Sequence, residues 1–154
     1  MKPLKKILLA SHGSPGTRAA ERAAIRMAAP GATLFHLVVV PEFWSGMQGD
    51  DWLNNAATRD AFARHVETTL EREVQSEIRR VERAARRRKL KYRSRTIFGK
   101  PDDCLLDAVR SAKPQLIVTG SLRRKGKTGL RSRMLTDDLL RRLTVPLLVV
   151  PSKP

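Results

Sequence analysis

The sequence predicts an α/β protein: a single domain built on an open parallel five-stranded sheet with helices on both faces. Three observations lead there. Short apolar runs alternate with helical patterns along the chain in the order β-α-β-α-β-α-β-α-β, which calls for a parallel sheet and right-handed crossovers. The run TLFHLVVV (33–40) is almost continuously apolar, as in strands buried on both faces. The chain has 154 residues and is 41% hydrophobic, enough for one domain with an ordinary core.

The elements follow in order. LKKILLA (4–10) is the first strand. Lysines before an apolar run also open a signal peptide, but Ile7 to Ala10 is shorter than the roughly 7–15 residues such a segment needs. No stretch approaches the roughly 18–20 apolar residues that span a bilayer, so the reading is a cytoplasmic protein without a membrane partner. SHGSPGT is a turn, with Ser14 as helix cap and Pro15 in the first turn. An alanine-rich helix covers 17–29, and Pro30-Gly31 stops it. The second strand is 33–40. A loop (41–52) carrying Phe43, Trp44 and Trp52 follows; these rings either cover a crevice or pack on their own helix.

The longest helix is marked by Phe62, Val66, Leu70, Val74, Ile78, Val81 and Ala85, a single apolar stripe at helical period, and ends near Arg88. KYRSRTIF (91–98) alternates and suits an exposed edge strand. Asp102 or Asp103 is expected to cap a helix over 104–112, with Leu105, Leu106 and Val109 inward. PQLIVTG (114–120) is the fourth strand. Leu135, Leu139, Leu140 and Leu143 mark a last helix, with Asp137 and Asp138 in its first turn, and VPLLVV (145–150) is the fifth strand.

Charge is distributed unevenly. Of 31 basic and 15 acidic residues, nine of each lie in residues 1–77, so the whole net charge of +16 falls in residues 78–154. Arg79, Arg80, Arg83, Arg86, Arg87 and Arg88 crowd the end of the long helix, where the dipole favours cations. The excess reads either as a solvated face or as the footprint of an anionic partner. Cys104 is the single cysteine, which excludes a disulfide framework and a cysteine zinc cluster and suits a small buried side chain. His12, His36 and His65 have no metal-ligand spacing; His36 suits a satisfied core position and His65 the surface.

From KKILLASHGSPGTRAAERAA through GATLFHLVVV, GKPDDCLLDAV and QLIVTGSLRRKG to LTVPLLVVP, the chain resembles the universal stress protein family over nearly its full length. The resemblance implies one such domain over 1–154, a Rossmann-like fold of the adenine nucleotide alpha hydrolase kind, and strand order 3-2-1-4-5. It also implies a homodimer paired through the fifth strand, at Leu147, Leu148, Val149 and Val150. One branch of the family binds ATP through Gly-x2-Gly-x9-Gly-Ser/Thr after the fourth strand and an Asp after the first. Here those positions hold Gly120, Arg123, Arg133 and Met134, with His12 at the Asp position.

Glycine lets backbone N–H groups reach a phosphate, whereas arginine fills that space but offers a bidentate fork. A methionine sulfur neither donates to phosphate nor ligates Mg²⁺ as a hydroxyl does. The candidate nucleotide or anion crevice therefore comprises Ala10, Ser11, His12, Gly120, Leu122, Arg123, Arg133, Met134, Leu135 and Thr136. Asp137 or Asp138 could instead neutralise the arginines. No catalytic constellation or metal site is visible, since Ser11 and His12 are only sequence neighbours. Three readings stay open. The first is a non-enzymatic, dimeric stress-response protein with an altered nucleotide site and no firm cofactor. The second is a member that binds ATP-Mg²⁺ through the arginines of 120–134, with slow hydrolysis at most. The third is a sequence-independent polyanion binder using 79–95 and 120–134. Nucleic-acid base readout has no motif behind it.

Overall fold

Helix α1 (Thr17–Met27) and helix α2 (Ala56–Arg87) cover one face of a central sheet; α3 (Pro101–Ala112) and α4 (Asp137–Arg142) cover the other. The computed structural model describes residues 3–11, 17–40, 56–121 and 134–151, and for 56–70 the backbone alone. The strands are β1 (Lys6–Ser11), β2 (Thr33–Val40), β3 (Lys91–Phe98), β4 (Leu116–Gly120) and β5 (Leu147–Val150). All four pairings are parallel, in the order β3-β2-β1-β4-β5. The α/β class and the strand order are those expected. Among the described residues no helix is long and apolar enough to cross a membrane.

Period-two alternation splits the central strands between two cores. Ile7 and Leu9 of β1 point toward α1 and α2, joining Ala20, Ala24, Leu34, Val81, Ala85 and Val118. Leu8 and Ala10 point the other way, toward Leu105, Val109, Leu139 and Met134. Strands β1, β2 and β4 are buried along nearly their whole length, whereas β3 is largely exposed, as its charged alternating sequence predicts for an edge. In α2 the expected stripe faces inward at Val74, Val81 and Ala85; Phe62, Val66, Leu70 and His65 lie outside the described side chains.

Local chemistry moves several boundaries. Helix α3 begins at Pro101, with Lys100 at the cap and no side-chain cap bond, so neither Asp102 nor Asp103 is the cap. Proline's fixed φ starts the helix earlier, and both carboxylates then sit in its first turn, where the dipole favours them. Helix α4 is shorter than its leucines suggest. Thr136 accepts the Leu139 N–H at 3.1 Å as a true N-cap, which leaves Leu135 and Leu143 outside the helix and Leu140 52% exposed. At Gly99, φ is +149°, a conformation that side chains rarely adopt, and an added Cβ would lie 3.4 Å from Cys104 Sγ. Cys104 itself is buried.

Candidate functional site

In open parallel sheets, ligands bind beyond the carboxyl ends of the strands, where strand order reverses. That place is here the β1/β4 junction, because β1 and β4 are neighbours and their chains leave in opposite directions across the sheet. Ala10 and Ser11 end β1 and Gly120 ends β4; all three are buried. Thr119 Oγ1 donates to the Ala10 carbonyl at 3.0 Å and ties the two strand ends together. His12, Leu122, Arg123 and Arg133 lie outside the described residues, as do Ser14, Phe43, Trp44 and Trp52.

The described crevice residues are engaged within the protein. Met134 is 1% exposed and packs in the apolar cluster with Leu8, Ala10, Leu105 and Leu139. Leu135 packs against the same cluster. The Thr136 hydroxyl caps α4 and donates to Asp102 Oδ2 at 3.2 Å. Asp138 pairs with Arg142 at 3.2 Å, one helical turn away. The Ser11 side chain points to the other face of the sheet, where its hydroxyl donates to Glu77 Oε1 at 2.7 Å.

That bond opens onto a buried polar network beneath the crevice. Glu77, only 6% exposed, also receives the Thr17 hydroxyl at 3.2 Å. Its second oxygen, Oε2, faces His36 Nε2 at 3.6 Å, longer than a hydrogen bond; among the described residues neither atom has a hydrogen-bond partner. His36 Nδ1 lies 2.6 Å from the Tyr92 hydroxyl, which is also 3.4 Å from the Ile78 carbonyl. Tyr92 has one hydrogen to give: if it goes to Nδ1, the imidazole hydrogen sits on Nε2 and faces the carboxylate; if it goes to Ile78, Nδ1 carries the hydrogen and donates to Tyr92. Burial pushes the Glu77 carboxyl up, but His36, Ser11 and Thr17 together outweigh it and hold the group below its ordinary 4.5. Burial, with nearby carboxylates, pushes the Tyr92 phenol up. Nearby, Arg80 clasps the buried Glu21 through two bonds, at 2.6 and 3.2 Å.

His36 is a core residue, as expected, but it is satisfied at one nitrogen: Nδ1 meets the Tyr92 hydroxyl, and Nε2 has no hydrogen-bond partner among the described residues. The sequence alone does not point to Glu77 and Tyr92 as neighbours of His36, nor to Thr17 as a partner of Glu77. A signal was present: Glu77 falls between Val74 and Val81 on the inward stripe of α2, where a carboxylate needs a buried partner.

The match of the universal stress protein family model spans residues 3–151. The chain belongs to that family. This universal stress protein has no match among curated proteins. Among solved structures it resembles protein MJ0577, at 14% identity and a TM-score of 0.70, with 98% of this chain and 99% of that one covered. A protein of the universal stress protein family from Burkholderia pseudomallei is 21% identical, with a TM-score of 0.65 and coverage of 99% and 100%. A universal stress protein in complex with cAMP is 18% identical, with a TM-score of 0.59 and coverage of 99% and 100%. At these identities the likeness is one of fold.

Proposed function

We propose that this chain is a non-enzymatic, regulatory member of the family that acts as a dimer and whose nucleotide crevice no longer grips a triphosphate in the manner of the ATP-binding branch. The observation that carries this reading is the burial of Met134 in the apolar cluster. The ATP-binding branch uses that position for a hydroxyl; here it supports the core and offers no oxygen to phosphate or Mg²⁺. The neighbouring hydroxyls of Ser11 and Thr136 are bonded to Glu77 and Asp102, which supports the same reading.

Thermal unfolding with ATP-Mg²⁺ and, separately, with cAMP tests it. A ligand at 100 times its Kd stabilises by about 2.7 kcal/mol. The expected result is no shift with millimolar ATP-Mg²⁺. A clear upward shift would instead favour ATP held through Arg123 and Arg133. Because one relative is described in complex with cAMP, the second arm shows whether a nucleotide without a triphosphate still enters.

The dimer reading has its own support. Strand β5 is the outermost strand beside β4, and Val149 is 40% exposed on it. Pairing β5 with its copy would cover that edge. Light scattering should give twice the monomer mass, and Val149→Lys should halve it; a wild-type monomer would sink this part of the proposal.

A further inference from the structure

Helix α2 carries a second stripe beside its apolar one. Arg72, Ser76, Arg79, Arg83 and Arg87 recur every three or four residues and, with Arg18 of α1, line an open groove of about 820 Å³. Fifteen residues of helix separate Arg72 from Arg87, so the groove runs about 22 Å. It extends down the helix away from the crevice, because α2 ends where β3 begins.

The charges in this groove are not balanced. Arg80 is neutralised by Glu21. Arg18, Arg72, Arg79, Arg83 and Arg87 have no acidic partner among the described residues, and Glu71 is the one carboxylate in the lining. The pairs Arg79/Arg83 and Arg83/Arg87 are one turn apart, where like charges destabilise a helix. The helix dipole favours cations only in the last turn, so it accounts for Arg87 but not for Arg72 or Arg79. Arg18 and Arg72 also come from the half of the sequence without net charge, so the groove is assembled by folding rather than by the basic half alone. A row of anionic groups would relieve this repulsion along its length.

We propose that the groove binds a linear chain of phosphates, and specifically inorganic polyphosphate. Guanidinium forks match phosphate oxygens, and the length of the groove suits several phosphates in series. The described residues of the lining include no aromatic side chain on which a base could stack, so none of them selects a nucleic acid over bare phosphate. The proposal is independent of what occupies the nucleotide crevice.

The test is fluorescence anisotropy of labelled polyphosphate against the whole protein at several salt concentrations. Affinity should fall steeply as salt rises. The double substitution Arg79→Gln/Arg83→Gln should weaken binding roughly tenfold and reduce the salt slope by about one to two. The pair Arg93→Gln/Arg95→Gln, on exposed β3, removes the same charge elsewhere and should change affinity less than about twofold. Equal losses from both pairs would mean that net charge alone attracts the ligand and would overturn the site. A single-stranded oligonucleotide of equal charge that displaces polyphosphate would overturn the assigned occupant. Thermal melting checks that each variant folds; should the first pair fail to fold, Arg72→Gln/Arg87→Gln takes its place with the same expectations.

Discussion

The two faces of the sheet solve burial by different chemistry. The face under α3 and α4 holds an almost wholly apolar cluster of leucines, valines and alanines with Cys104 and Met134. The face under α1 and α2 has an apolar part as well, but it also encloses Ser11, Thr17, Glu21, His36 and Glu77. Both faces come from the same strands, since alternate residues of β1 and β2 serve each. The lesson is that the side that accepts a carboxylate must assemble donors from distant segments: Ser11, Thr17 and His36 converge on Glu77 from three elements. The stability of this face is therefore tied to the protonation of Glu77.

Two experiments sharpen this contrast. The larger effect belongs to the apolar face. Leu105 is fully buried there, and Leu105→Ala should cost about 3–4 kcal/mol, read as a lowered urea midpoint. That cost should be the same at pH 7 and pH 4, since no titrating group touches the change in the cluster around it. A penalty that shrinks in acid would break the distinction between the faces.

The smaller effect is on the polar face. Glu77→Gln keeps the shape of the side chain and an oxygen for Ser11 and Thr17, but removes the charge opposite His36 Nε2. A loss of about 1–2 kcal/mol is expected at pH 7. The sign with pH follows from the lowered carboxyl. The stability it contributes is fully present above about 4.5 and is lost as the pH falls through the lower folded value. Urea titrations of the wild type and Glu77→Gln should therefore converge in acid. Curves that stay parallel down to pH 3 would remove Glu77 as the source of the acid sensitivity.

The fold was legible because its signals are local and repeated. The continuous apolar run of β2, the four-residue stripe of α2 and the charged alternation of β3 each state their own burial. Helix ends were less legible. At α3, Pro101 overrides the carboxylates that look like caps, and at α4 a threonine outside the leucine pattern sets the start. The crevice was legible as a place, since β1 and β4 meet where expected. What each of its side chains does was not. Ser11 and Ala10 are neighbours in sequence, yet the pleat sends them to opposite faces, one to a carboxylate and the other to the apolar cluster.

By itself the sequence determined the order of elements, the family and the edge position of the third strand. These depend on residue type and spacing along the chain, which sequence carries directly. Only the tertiary structure decided that Met134 is a core residue, that Glu77 is the hub of a buried network, and that six arginines from two helices share one groove. Each of these is a meeting of residues distant in the chain, Ser11 and Glu77 by 66 positions, and such meetings exist only once the crossovers have brought the helices onto the sheet.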